Sequence, residues 1–207
     1  MPSPLPLLIY PSVVTKLFQD KSTFERELLV YQAALPHIPK LVAFNQADYQ
    51  GLNIWYITAQ RIKGRSYLDA EFFSPADLAK AIAEFHIAST QAEKCLCHID
   101  NQPQNILLSG SEYFFIDFSD SKVDYPETDV SHLLLFWAEE YNYINFIAKA
   151  GEFLNTYQNL NPLSGNRWQS CLKNSIIRFD HRRKHHNKRS HAIDTRENRE
   201  WLQEVIQ

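Results

Sequence analysis

The stretch CHIDNQPQNILLSGSEYFFIDFSDS, residues 97–121, decides how this chain is read. Asp100 and Asn105 are separated by four residues, and Asp117 closes the apolar run YFFID. NILL and YFFID read as two short strands joined by SGSE as a hairpin turn. An aspartate leaving a buried strand has its direction fixed by that strand. A carboxylate with an amide oxygen beside it makes a hard donor pair of the kind Mg2+ takes. A second carboxylate nearby can orient a hydroxyl or accept its proton. Asp and Asn collect in ordinary turns as well, but three of them spaced around one hairpin are harder to assign to turn chemistry alone.

Upstream of this stretch the pattern is strand-rich. LPLLIY and VVTKLF are short apolar runs on either side of Pro11-Ser12, which predicts two strands and a tight turn. STFERELLVYQAAL has helical spacing, with Phe24, Leu28, Tyr31 and Leu35 on one face and Ser22 or Thr23 as the expected cap. KLVAFN and LNIWYITAQR follow as strands around the polar turn QADYQG. After Gly64 the pattern turns helical. SPADLAKAIAEFHIAST opens with Ser74 as N-cap, Pro75 in the first turn and Asp77 at the positive end of the dipole. Further helices are expected at DVSHLLLFWAEEYNYINFI, AGEFLNTYQNL, NRWQSCLKNSIIRF and TRENREWLQEVI. Strands first and helices later give a segregated α+β pattern, and no Gly/Ser linker separates the halves, so two lobes sharing a cleft are expected.

HIDNQPQNILL followed by FFIDFSDS resembles the catalytic core of the protein-kinase-like superfamily, whose template is H-R-D-L-x-x-x-N followed by D-F-G. The similarity is closer to the branch of aminoglycoside and choline phosphotransferases, lipopolysaccharide kinases, RIO kinases and the small kinase of the KEOPS tRNA-modification complex. Members of that branch often carry H-G-D-x-x-x-x-N. The resemblance implies Asp100 as catalytic base or hydroxyl-positioning group, Asn105 and Asp117 as Mg2+ ligands, and His98 as a packing residue. Ile99 and Ser119 depart from the pattern without removing a phosphate-handling group. VVTKLF resembles the strand that carries the phosphate-binding lysine, giving Lys16. FERELLVYQ is similar to the helix whose glutamate pairs with that lysine, giving Glu27 in preference to Glu25. WYITAQRIKGRSYLD resembles the hinge, where backbone groups from Gln60 to Ile62 would meet adenine. Asp129 matches an aspartate that braces the catalytic loop in the family, and is explained equally by a favourable charge at a helix N-terminus, with Thr128 as a cap.

Other features bound the function. No glycine precedes Gly51, and only 15 residues precede Lys16, so a reduced N-lobe without the glycine-rich lid is expected. A partner protein covering the nucleotide site would supply what such a lid does. Asp129 follows Asp117 by 12 positions, too few for a peptide-binding activation segment, which argues against an ordinary protein kinase. RFDHRRKHHNKRSH, residues 178–191, carries six Lys/Arg against one Asp; it fits an anionic partner, RNA or an anionic lipid or glycan, or else a solvated charged loop. Cys95, Cys97 and Cys171 form no disulfide framework and no zinc knuckle. With no signal peptide and no run long enough to span a bilayer, a reduced cytoplasmic protein is expected.

The expectation is therefore an α+β, two-lobed, kinase-like fold. A strand-rich N-lobe covers residues 1–62 and a helical C-lobe covers 63–207. The activity it implies is ATP- and Mg2+-dependent phosphotransfer to a hydroxyl of a small molecule or atypical protein substrate. Its alternative is a pseudokinase, or a nucleotide-binding or tRNA-associated module that transfers nothing.

Overall fold

The structure, a computed structural model, describes residues 7–49, 52–70, 72–185 and 195–206. Its first lobe is a four-stranded antiparallel sheet with one helix against it. The strands β1 (Leu8–Ile9), β2 (Val13–Phe18), β3 (Leu41–Tyr49) and β4 (Leu52–Gln60) lie in the order β1-β2-β4-β3. The β1–β2 turn at Pro11-Ser12 closes through the Tyr10 N–H on the Val13 carbonyl at 2.9 Å. Strand periodicity sends Val14, Lys16 and Phe18 to one face of β2, in register with Ala59, Ile57 and Trp55 of β4. Helix α1 (Lys21–Gln32) packs there through Phe24, edge-on to Phe18 at 5.7 Å.

Two expectations for this lobe need correction. Asp20, not Ser22 or Thr23, caps α1, because its carboxylate accepts from the Thr23 N–H and from both hydroxyls, leaving Ser22 and Thr23 inside the first turn. QADYQG is not a loop over its length, since Gln46 to Tyr49 remain in β3 and Tyr49 pairs with Leu52.

The second lobe opens with β5 (Arg65–Ser66) and α2 (Pro75–Ala88), the latter capped by Ser74 with Pro75 at its start as expected. Then come β6 (Cys95–Cys97), the hairpin β7 (Ile106–Ser109) and β8 (Glu112–Phe115), and β9 (Lys122–Asp124). Helices α3 (Pro126–Glu140), α4 (Tyr143–Leu160), α5 (Gly165–His185) and α6 (Arg196–Glu204) complete it. Helices α3 and α4 divide at Tyr141-Asn142, earlier than the hydrophobic pattern implies, because Asn142 turns its side chain onto the Asn145 N–H as a cap. Thr128 is not a cap either; α3 starts at Pro126 after Tyr125. Among the described residues no helix is long and apolar enough to cross a membrane.

One core joins the lobes. Phe118, fully buried, meets Tyr31 of α1 edge-on at 5.8 Å and stacks on Phe85 of α2 at 6.2 Å. The His37 carbonyl accepts from the Phe115 N–H, which ties the segment before β3 to β8. Between the lobes, Gly64 lies so close to β7 that a Cβ would stand 2.8 Å from the Leu108 carbonyl oxygen. Gly64→Ala is therefore expected to cost about 1–3 kcal/mol by overpacking. Chemical denaturation checks this; a loss under about 0.5 kcal/mol would mean that β7 yields freely.

Candidate active site

The site forms where β2, α1, the loop after β6 and the loop after β8 converge. Lys16 Nζ lies 2.7 Å from Glu27 Oε2 and 2.6 Å from Asp117 Oδ1. Ser119 Oγ accepts from Lys16 at 2.8 Å and has Glu27 and Asp117 within 2.9 and 3.0 Å as acceptors for its own proton. Glu27 is the buried partner that the sequence pattern favours, while Glu25 pairs on the surface with Lys21. Burial works against the Lys16 ammonium, but Glu27 and Asp117 outweigh it and raise its pKa. Burial also pushes the Asp117 carboxyl up, and Lys16 overrides it to hold that carboxyl below its ordinary value. Glu27, the most buried of the three, is pushed up by burial against the pull of Lys16. Asp117 and Lys16 are thus a fixed ion pair at the cleft.

Ser119 is more than a substitute for a glycine, because its hydroxyl joins all three charged groups. Its carbonyl also accepts from Arg26 at 2.5 Å.

The loop after β6 is held from below by Asp129. Its carboxylate accepts from the backbone N–H of His98 at 2.6 Å and of Ile99 at 2.7 Å, and it meets His86 Nε2 at 3.1 Å. The brace and the helix-start readings of Asp129 both hold, since the residue lies in the first turn of α3 while its carboxylate faces the loop. Burial would raise the Asp129 pKa; His86 and the backbone donors lower it instead. Ile99 has φ 68° and Asp117 has φ 65°. The left-handed region is ordinary for Asp but an outlier for a β-branched residue, at about 1–3 kcal/mol. That is the physical reason a glycine suits this position in the H-G-D pattern. His98 packs on Phe118 with centroids 4.8 Å apart and reaches the Ile116 carbonyl, which ties the Asp100 loop to the Asp117 loop.

Asn105 gives its amide nitrogen to the Asp100 carbonyl at 2.8 Å, and its own carbonyl accepts from the Ile116 N–H. Its side-chain oxygen is therefore the group that can face a cation, one residue's pairing away from Asp117. A carboxylate, an amide oxygen and a hydroxyl make a hard donor set, which fits Mg2+ and not a thiophilic metal. His86, Cys95 and Cys97 also lie together, but both His86 nitrogens are engaged, by Tyr157 and Asp129, so this is packing chemistry and not a metal centre.

Asp100 opens onto a cavity of about 700 Å3 lined also by Ser66, His132, Phe136, Phe179 and Arg182. By charge count Arg182 belongs to the basic segment 178–191. Instead, α5 continues through residue 185 and turns Arg182 onto both Asp100 and Asp120, with Arg178 3.1 Å from Asp120. Residues 186–191 of the basic segment lie outside the described residues. Charge count alone could not assign Arg178 and Arg182 to the site; their i, i+4 spacing was the available signal. At the hinge the Gln60 N–H goes to the Lys40 carbonyl and the Arg61 N–H to the Ser12 carbonyl, so neither faces a ligand, and Ile62 comes next.

Residues 55–160, just over half of the chain, match the phosphotransferase enzyme family, APH. The chain belongs to that family. Phosphoryl transfer is accordingly the chemistry of this phosphotransferase. Among solved structures it is similar to an amicoumacin kinase, hAmiN, in complex with AMP-PNP, Ca2+ and Ami, with 12% identity and a TM-score of 0.68 over 99% of this chain and 89% of that one. It is also similar to an aminoglycoside-3'-phosphotransferase of type VIII, with 14% identity and a TM-score of 0.52 over 71% of this chain and 77% of that one. At such identities the likeness is one of fold: the two-lobed kinase-like arrangement. No curated protein matches the sequence.

Proposed function

We propose that this phosphotransferase moves the γ-phosphoryl group of ATP to a hydroxyl acceptor, with Mg2+ held by Asp117 and Asn105. The observation that carries the reading is the half-buried Lys16–Glu27–Asp117 cluster, anchored on the buried Glu27, standing beside a loop whose Asp100 opens into a separate cavity. Residues 1–62 form the nucleotide side in this reading and residues 63–207 the acceptor side. The Lys16 ammonium, kept charged and directed by Glu27, steadies phosphate oxygens. Ile62 and the carbonyls around Gln60 would meet the adenine edge. The cation, when bound, supplies positive charge against the phosphate oxygens.

Asp100 accepts a hydrogen bond from the acceptor hydroxyl and takes its proton as the hydroxyl oxygen bonds to the γ-phosphorus and the bond to the β-bridging oxygen breaks, releasing ADP. A carboxylate offers about four acceptor positions, so Arg182 on one oxygen leaves room for the hydroxyl while fixing the direction of the side chain. AMP-PNP and Ca2+ in the amicoumacin kinase complex are in keeping with a nucleotide and a divalent cation here.

Release of ADP, followed with and without Mg2+, tests this. Asp100→Asn is expected to lower turnover by about 10²–10⁴-fold, the usual contribution of a positioned acid or base, while nucleotide still protects the protein against heat. Equal turnover in wild type and variant would defeat the assignment. Nucleotide binding without turnover would point to the pseudokinase or to a partner protein that completes the site. Binding of RNA or an anionic lipid or glycan through residues 178–191 would have to rest on the cations beyond Arg182.

A further inference from the structure

The loop that carries Asp117 holds a second carboxylate, Asp120, that no step above uses. The chain turns there, closed by the Ser121 N–H on the Phe118 carbonyl at 3.0 Å. Phe118 is fully buried and Arg26 holds the Ser119 carbonyl from the N-lobe side, so Asp120 has a fixed place three residues beyond Asp117. Its Oδ2 accepts from Arg178 at 3.1 Å and from Arg182. These two arginines stand four apart on α5 and therefore share one face of it. Arg182 reaches further and sets its other terminal nitrogen on Asp100 Oδ1. A guanidinium is a rigid planar fork, so an Asp120–Arg182–Asp100 bridge joins the metal-side loop to the loop of the base. Helix α5 is itself anchored beside that second loop. Phe179 lies edge-on to His132 with centroids 6.2 Å apart, and His132 Nδ1 bonds Asn101 Oδ1 at 2.9 Å, next to Asp100.

We infer that Asp120 is a positioning residue for phosphoryl transfer: through Arg182 it sets where Asp100 stands relative to the metal-side loop. With Oδ1 of Asp100 taken by Arg182, the acceptor hydroxyl falls to Oδ2, whose bonds from the Gln102 and Asn105 amides are longer, 3.3 Å each. The chemistry needs such a coupling. A hydroxyl oxygen directed by one loop must meet a phosphorus whose oxygens are directed by the other, and an error of about 1 Å can cost about 10²-fold in rate. Folding supplies no comparable reason for the bridge. The Arg182 and Asp120 side chains are 36% and 38% exposed, and an ion pair that open to solvent contributes little to stability. The role rests on the reading of Asp100 as the group that handles the acceptor hydroxyl.

The test follows ADP release from Mg2+-ATP by the full chain, with water serving as the acceptor hydroxyl. Asp120→Asn is expected to lower kcat by about 10–100-fold, with KM for ATP kept within about threefold and Tm within about 4 °C of wild type. Arg182→Gln should lower kcat at least as far. Adding Asp120→Asn to it should then change kcat by less than about threefold, because the bridge is already cut. Guanidinium chloride below its denaturing range should restore part of the loss in Arg182→Ala, with sodium chloride as the control, and none in Asp120→Asn. Independent, multiplying effects of the two substitutions overturn the inference. So does unchanged turnover in Asp120→Asn when Asp100→Asn is impaired, a result that leaves Asp100 in its role. Should Asp120→Asn fail to fold, the guanidinium arm decides, and no recovery in Arg182→Ala overturns the inference. No Mg2+-dependent ADP release from the wild type would overturn the phosphotransfer reading itself, a separate outcome.

Discussion

Asp117→Asn should abolish Mg2+-dependent ATP turnover, lowering it by about 10³-fold or more, while the protein remains folded. The magnitude follows from a cation that contributes several kcal/mol of charge stabilisation in phosphoryl transfer, at about 1.4 kcal/mol per tenfold in rate. The fold should survive because an asparagine tolerates the left-handed backbone seen at φ 65°. Phe118 next to it stays buried between Tyr31 and Phe85. Lys16 keeps Glu27 at 2.7 Å, so its ammonium does not lose its buried partner. Steady-state ADP release over a range of Mg2+ concentrations reads the loss, with circular dichroism as the fold control. Turnover within about tenfold of wild type would remove Asp117 from the metal site.

Asp129→Asn is expected to cost about 3–5 kcal/mol, the price of breaking a buried charged network, and to depress Tm by roughly 6–20 °C for a chain of this size. Asn161 donates to Tyr157, Tyr157 meets His86 Nδ1 at 2.6 Å, and His86 Nε2 meets Asp129. The Asp129 carboxylate receives His86 and two backbone N–H groups, so an amide in either orientation sets N–H against N–H. Ile99 would then lose the bond that keeps it left-handed, and Asp100 its register. Activity should fall with stability, even though Asp129 touches no reactant. A thermal melt reads the first effect and ADP release below the melting range reads the second; a Tm within about 2 °C of wild type would mean the brace is dispensable.

The two predictions differ in how far ahead of the structure they could be seen. Asp117 was legible because a carboxylate ending an apolar run is a local pattern, and so were Lys16 and Glu27 once the strand and helix around them were recognised. The α+β order, the Ser74 cap and the hairpin at Gly110 were legible for the same reason: each depends on neighbours within a few residues. Where local signals competed, they misled. Ser22 and Thr23 look like caps, yet Asp20 takes the position because an ionised acceptor binds the same donors more strongly than a hydroxyl. The run from Asp129 to Ile147 reads as one helix, and Asn142 divides it.

What the sequence by itself determined is the kind of chemistry: three oxygen-bearing residues at phosphotransferase spacing, a lysine and its glutamate, and strands before helices. Only the tertiary structure decided how that chemistry is enclosed. Arg182 is 82 residues from Asp100 and His132 is 31 from Asn101. No local periodicity links such pairs, so a basic tail and a buried histidine could not be assigned until α3 and α5 were packed. The physical reason is that hydrogen-bond and charge partners are chosen by proximity after folding, whereas propensity and spacing act before it.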